Sequence, residues 1–517
     1  MKSFLLQLIA ALALLTLLTG CIPAAEAPVP AAEPDSREEP GDTGGERAPQ
    51  AFTLAYEPAA GLNPYHCMSQ SNRTVLSLLY EPLFSVDAAF QAAPYLCESY
   101  TASGDGRTHT LTLRSDVTFS DGSPLTAADA VASIQAARDS AYYGQRLRHV
   151  RSVTADSDRT VTLVTDAACG TLDLLLNLYV VKAATVQDAI PAGTGPYRAE
   201  QDHLVRTDWW RSETPPVGEQ TIRLKAAETA AGIRDDFEYG QISLVCADPN
   251  AGARITYHSD FELWNNNTTV MQYVGFNLQS PVFVYSSLRN AVTYAIDRDA
   301  IVSDTAGGFA TAAVLPASPH SSVYDQKLAD HYAYNPSALE AVLASSGVRD
   351  LSGGDGILDV FSDSGTQALT GTMLVCLSSE QRVAAAQAVV DTLNSLGFQL
   401  TLKALEYDAY VSALRSGNFD LYYGEVRLSP DFDLSPFFEE GGSLSYGGIA
   451  DSAVALLCSQ AMENAGNAYD LHQKVMERGL LCPVLFKTYA IYSARGRITN
   501  LTPCLDGVFT MPMASRP

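Results

Sequence analysis

The stretch Leu111-Thr112-Leu113-Arg114-Ser115-Asp116-Val117-Thr118-Phe119-Ser120-Asp121-Gly122-Ser123-Pro124-Leu125-Thr126-Ala127-Ala128-Asp129-Ala130 decides the fold class. It opens inside residues 108–114, which alternate with period two, the pattern of a half-buried strand. Asp121-Gly122 supplies the positive φ that a tight turn needs. Thr126 then offers an N-cap. Asp129, three residues on, completes a capping-box-like start for a helix over 126–138.

The same alternation continues on both sides. Phe52-Thr53-Leu54 begins a strand, and Gly61-Leu62-Asn63-Pro64 reads as a turn. Residues 74–83 carry a helical apolar stripe. Residues 160–165 read as another strand. The segments 287–301, 338–345 and 381–395 are amphipathic helices, the last followed by a strand over 397–402. No repeat of about 20–50 residues is present. The pattern is mixed α/β.

Composition excludes several classes. The chain has 517 residues, 47% of them hydrophobic and 18% charged, enough apolar surface for a packed core. Its 58 Asp+Glu against 33 Lys+Arg give a net charge of −25. That balance argues against nucleic acid as a partner, since duplex binding needs a basic face. It argues equally against attachment to anionic lipid by charge alone.

The N-terminus reads as a processing signal. Over 1–20, Lys2 is the only charge, and 4–18 is almost wholly apolar. Leu18-Thr19-Gly20-Cys21 follows. It resembles a bacterial lipobox, in which the cysteine is lipidated and becomes the new N-terminus; the alternative is an ordinary signal with an incidental Cys21. Two acyl chains hold a protein stably at a bilayer. Residues 22–50 contain six Pro, six Ala, seven acids, two Arg and no aromatic residue. Such a segment cannot bury enough apolar surface to offset its ordering entropy, so 21–50 reads as an acidic tether.

Eight cysteines remain beyond Cys21, widely spaced and without a Cys-x-x-Cys pair. Several sit in apolar runs, as Cys246 and Cys376 do, and read as buried thiols. Neither a metal site nor a cofactor is expected from their pattern. Enzyme signatures are missing: there is no Walker A loop, His-Glu-x-x-His, Gly-x-Ser-x-Gly or Ser-x-x-Lys. Residues 350–361 faintly echo a calcium loop. They have Asp355 where that loop requires Gly and Phe361 where it requires Glu, and read as a turn.

Taken together, these segments are similar to the family 5 extracellular solute-binding proteins, the peptide- and nickel-binding receptors of ABC importers. The resemblance runs from about Phe52 to Val508. It is carried by Leu79-Tyr80-Glu81-Pro82-Leu83, Ala93-Pro94-Tyr95-Leu96-Cys97-Glu98-Ser99-Tyr100 and the 111–130 stretch. Further matches are Gly193-Thr194-Gly195-Pro196-Tyr197, Val274-Gly275-Phe276-Asn277 and Leu288-Arg289-Asn290-Ala291-Val292-Thr293-Tyr294-Ala295-Ile296-Asp297-Arg298. It implies a two-lobed periplasmic-binding-protein-like α/β fold with a two-crossing hinge. Lobe one would be 51–270 with an extra subdomain near 71–190, completed by 485–517; lobe two would be 271–484. The crossings would lie near 273–277 and 483–486. The implied partners are a solute, an ABC permease and its ATPase, with the protein a monomer on the extracytoplasmic face of the membrane.

The resemblance also supplies candidate contacts. In peptide-binding relatives an Asp of lobe two pairs with the ligand's α-amino group. The matching stretch, Phe419-Asp420-Leu421-Tyr422-Tyr423-Gly424-Glu425-Val426-Arg427-Leu428-Ser429-Pro430-Asp431-Phe432-Asp433, offers Asp431. Glu425 stands where the family pattern has Trp. Arg427 has two readings, pairing with a ligand carboxylate or neutralising Glu425. Trp264 is a stacking platform or a core aromatic. Asn277 faces the cleft or caps a strand, and Tyr65 lies on a loop that lines the cleft in relatives. The leading expectation is a receptor for short peptides. The alternatives are a receptor for a nickel chelate or oligosaccharide, a peptide-sensing lipoprotein, and a membrane-anchored hydrolase.

Overall fold

Thr108–Leu113 forms the strand its alternation predicts: His109, Leu111 and Leu113 are buried, and the threonines between them half-buried. It lies in a four-stranded antiparallel sheet ordered Cys97–Ala102, Thr108–Leu113, Thr160–Thr165, Val150–Ala155. Gly122 takes φ 87° in the following turn, and its N–H donates to Phe119 O at 2.9 Å. The helix Ala127–Arg138 starts where the Thr126 N–H donates to Asp129 Oδ2 at 2.9 Å, one of the orphan donors of a helix start. The structure is a computed structural model and describes residues 51–211, 215–351, 353–362, 365–498 and 501–509. The leader, Cys21 and the tether lie outside these residues.

The main sheet has eleven strands and links the whole body. Its order is Tyr197–Glu200, His203–Arg206, Thr221–Ala226, Thr53–Tyr56, Leu244–Ala247, Leu481–Ala494, Phe261–Phe276, Leu421–Arg427, Thr370–Cys376, Gln399–Leu405, with Ala310–Ala312 pairing onto Leu481–Ala494. Thr53–Tyr56 and Thr370–Cys376 are each parallel to both neighbours, as α/β units require. The long strands Phe261–Phe276 and Leu481–Ala494 are antiparallel to each other and serve both halves of the sheet. Residues 261–267 pair with 488–494, whereas 270–276 pair with 421–427. The ladder is irregular between Asn267 and Met271, ahead of the 273–277 stretch that the family resemblance points to.

Two cores result, as the two-lobed fold requires. One is built around Phe52, Leu76, Leu83, Phe119, Ile134 and Leu163. The other is built around Phe276, Phe283, Leu288, Val375, Val389 and Leu485. A third apolar cluster lies between them and joins Val86, Phe90 and Leu505 to Phe432, Phe437 and Phe438.

Two sequence features take on a structural reason. The 287–301 helix is broken into Ser286–Ala295 and Arg298–Ile301. The break turns the buried Arg298 inward, where its guanidinium donates to the carbonyls of Thr293 and Ile296 at 3.2 Å and of Pro483 at 2.8 Å. Gly193 and Gly195 pack on the end of the helix Gln70–Leu79. A Cβ at either would run into the carbonyls of Leu79 or Leu78. All eight body cysteines are buried thiols, and burial pushes Cys97, Cys169 and Cys504 up to about 12. Among the described residues no helix is long and apolar enough to cross a membrane.

His472, in the helix Ala468–Glu477, is 1% exposed, and its Nδ1 has no hydrogen-bond partner. Burial pushes its pKa down to about 4. A base depressed in the folded state contributes stability that is fully present above its unfolded pKa of about 6.5 and is lost as pH falls from there through 4. Between pH 7 and 4.5 the wild type is therefore expected to lose about 2–3 kcal/mol relative to His472→Gln in urea unfolding. Parallel pH curves for the two proteins would refute a buried neutral imidazole.

Candidate ligand site at the seam between the cores

At the break in the long ladder, side chains take up the carbonyls. Thr268 Oγ1 donates to Lys487 O at 2.7 Å and Thr269 Oγ1 to Leu428 O at 2.6 Å. A cavity of about 20 Å³ opens beside the break, lined in part by Tyr142, Thr268, Tyr489, Arg73, Arg427 and Asp506.

Four charged side chains from distant parts of the chain meet here. Arg73 comes from the helix Gln70–Leu79, Arg146 from the short 3-10 turn Gly144–Leu147, and Arg427 from the end of the strand Leu421–Arg427. Asp506 sits on the C-terminal turn in the left-handed region, φ 63°. The Arg73 guanidinium lies 3.5 Å from the Tyr142 ring centroid, and its Nη2 donates to Tyr143 Oη at 3.0 Å. Arg146 pairs with Asp506 Oδ2 and donates to Asn177 O at 3.2 Å. Tyr142 Oη donates to Asp506 Oδ1 at 2.6 Å. Arg427 donates to Tyr489 Oη at 2.8 Å, and its Nη1 stands 3.8 Å from Asp506 Oδ1.

Burial pushes the Asp506 carboxyl up. The guanidinium groups of Arg146, Arg73 and Arg427, with the Tyr142 hydroxyl, override burial and hold it well below the usual carboxylate range. Three cations against one anion leave the cluster two positive charges. Convergent, largely desolvated guanidinium groups are unfavourable without anionic partners, and their planar forks match carboxylates.

Glu425 belongs to a neighbouring but neutral network. It accepts from Arg382 at 2.5 Å and from Gln272 Nε2 at 2.9 Å, and lies 3.5 Å from Lys487 Nζ. Lys487, 3% exposed, also pairs with Asp248. Burial pushes Glu425 up, but Lys487 and Arg382 outweigh it and lower its pKa. Glu425 is thus neutralised by Arg382 and Lys487, which overturns the reading of Arg427 as its counterion.

Asp431 lines a second cavity at the same seam, of about 200 Å³, with Phe90, Thr171, Asp173, Ser322 and Phe432. It accepts from Thr171 Oγ1 at 2.9 Å and Ser429 Oγ at 2.5 Å. Burial and the nearby Asp433 push its pKa up; burial does the same to Asp173. Among the described residues no Lys, Arg or His forms an ion pair with either. Beside this cavity Phe90 and Phe432 meet edge to face at 5.0 Å, and Arg148 reaches Asp433 at 3.1 Å and Glu439 at 2.9 Å.

The other candidates are engaged within the body. Tyr65, 2% exposed, donates to Tyr179 O at 2.8 Å. Asn277 donates to Gly417 O and Phe419 O at the end of its strand. Trp264 packs half-buried against the first core. The cluster brings in Arg73, Arg146, Tyr142 and Asp506, which pattern reading passes over. The Asp506-Gly507 dipeptide, a turn signal like Asp121-Gly122, is the one local mark they carry.

The comparisons agree with this architecture. The glutathione-binding protein GsiB of Shigella boydii serotype 4 is 26% identical over 308 residues, which cover 55% of this chain and 59% of that protein. The GsiB of Escherichia coli K12 is 26% identical over 316 residues with the same coverage. The chain therefore spans less than two thirds of these curated relatives. Among solved structures, NikA from Brucella suis in complex with Fe(III)-EDTA superposes with a TM-score of 0.68 at 19% identity, covering 88% of this chain and 98% of that one. AppA from Bacillus subtilis in complex with a nonapeptide gives 0.59 at 20% identity, covering 87% and 95%. These two likenesses carry the two-lobed fold. The model of the bacterial extracellular solute-binding proteins, family 5 Middle, matches residues 91–444, more than half of the chain. The chain belongs to the family 5 bacterial extracellular solute-binding proteins.

Proposed function

We propose that this family 5 substrate-binding protein serves an ABC importer for short peptides, held to the membrane through Cys21. One lobe, 51–270 with 485–517, closes on the other, 271–484, and the closed form is delivered to the permease and its ATPase. The observation that carries this reading is the arginine cluster with two uncompensated positive charges at the seam. Every linear peptide ends in a carboxylate, and a guanidinium fork receives one independently of side-chain sequence. Arg427 is the contact from one side of the seam and Arg73 from the other. Asp431, with Asp173 beside it, receives the α-amino group; a bound ammonium offsets the burial that raises both carboxyls. Glu425 acts indirectly by fixing Arg382 and Lys487. Asn277, Trp264 and Tyr65 support the frame around the site.

A second reading has an observation of its own. An anionic metal chelate also suits a doubly positive cluster, and NikA, a fold relative, is in complex with Fe(III)-EDTA. Calorimetry on the full chain in detergent, with tri-alanine, glutathione, nickel–histidine and Fe(III)-EDTA, separates the two. A peptide is expected to bind at micromolar Kd, and Asp431→Asn to weaken it more than tenfold. Heat from a chelate alone would overturn the peptide reading, and unchanged affinity would remove Asp431.

The anchor is tested separately. Cys21→Ala is expected to move the protein from the membrane fraction to the soluble exported fraction, with ligand affinity unchanged. Retention of the variant in washed membranes would refute lipidation as the attachment.

A further inference from the structure

Asp506 is an unusual residue for its place. Cys504 and Gly507 exchange backbone hydrogen bonds of 3.1 Å, which leaves Leu505 and Asp506 as a two-residue loop. Asp506 takes φ 63° there, where glycine or asparagine is the easier choice. What holds it is the carboxylate, which takes Arg146 and the Tyr142 hydroxyl. A chain-borne carboxylate thus occupies one position in a three-arginine cluster.

The remaining donors can be located. Arg146 is engaged by Asp506 and the Asn177 carbonyl. Arg73 is buried and clamped over the Tyr142 ring; its Nη1 and Nη2 donate to Cys67 O at 3.4 Å and Tyr143 Oη at 3.0 Å, while its Nε has no hydrogen-bond partner. The Arg427 side chain is 32% exposed and stands 3.8 Å from Asp506, beyond hydrogen-bond length. The adjoining network of Lys487, Arg382, Asp248 and Glu425 contains two cations and two anions, so it does not alter the count. Two guanidinium groups therefore keep unused capacity, one on each side of the seam.

We propose that the site takes a solute presenting two carboxylate groups, one for Arg73 and one for Arg427, and that Asp506 sets that number at two. This rests on the seam being the ligand site, and it narrows the peptide class to acidic peptides. A peptide with one carboxylate leaves one arginine unmatched. A third carboxylate meets Asp506.

The test is calorimetry on the full chain with tri-alanine, alanyl-alanyl-aspartate and alanyl-aspartyl-aspartate, which carry one, two and three carboxylates. The two-carboxylate peptide is expected to bind at least tenfold tighter than either of the others. Arg427→Gln should reduce its advantage over tri-alanine to threefold or less. Asp506→Asn should tighten the three-carboxylate peptide at least tenfold; should that variant not fold, the wild-type series and Arg427→Gln decide. Equal binding of the three peptides, or an advantage that survives Arg427→Gln, would overturn this inference and leave the peptide reading standing. Absence of binding by all three at millimolar concentration would overturn both.

Discussion

The pairing of Phe261–Phe276 with Leu481–Ala494 is the constraint on which the rest of the molecule depends. Each strand belongs to both halves of the main sheet, so neither core can move without carrying its end of this ladder. The ladder is irregular between Gln272 and Tyr273 and lapses around Asn267–Met271. There the Thr268 and Thr269 hydroxyls take up the carbonyls of Lys487 and Leu428. Buried backbone groups must be satisfied somewhere, and a side-chain hydroxyl swivels with its partner more readily than a ladder bond does. The break is thus a place where the sheet can bend without orphaning its polar groups.

Charge is distributed around that break with two different outcomes. The network of Glu425, Arg382, Lys487 and Asp248 balances internally, and removing one member would leave a buried charge uncompensated. Its four members come from separate stretches of chain, so it pins the strands beside the break in register. The arginine cluster a short way along does not balance. In a chain with net charge −25, three guanidinium groups around one carboxylate do not reflect the average composition. Net acidity of this kind favours solubility in general, whereas the local surplus of guanidinium groups is a property of the seam alone.

Much of the fold was legible in the sequence because its signals are local. Period-two alternation located Thr108–Leu113 and Thr160–Thr165, and a cap with its acid three residues on located Ala127–Arg138. The 287–301 pattern reads as one continuous helix because nothing local shows that Arg298 must turn inward to reach the Pro483 carbonyl, far away in sequence. The site was legible only in part. The family stretch offers Arg427 and Asp431 as candidates. Arg73, Arg146 and Asp506 come from three segments that only the fold brings together, and an isolated arginine on an apolar helix face looks like any amphipathic side chain.

A ligand can drive closure only through differential affinity for the closed arrangement. Contacts made from one side alone would bind equally well in any arrangement and shift nothing. On the proposed division of the lobes the arginine cluster would meet the requirement, with Arg73, Arg146 and Asp506 on one side of the seam and Arg427 on the other. The opposing cost is also visible. Among the described residues Phe90, Phe432 and Asp506 are three of the four non-glycine residues with positive φ, and all three lie at the seam. Such conformations cost of order 1–3 kcal/mol each and persist where surrounding contacts over-determine them. The Phe90–Phe432 contact crosses the seam, whereas Asp506 is held from its own side by Arg146 and the Tyr142 hydroxyl. In the proposed reading a ligand bridging Arg73 and Arg427 adds to the Phe90–Phe432 contact across the seam, while the Arg146–Asp506 pair stays whole on one side.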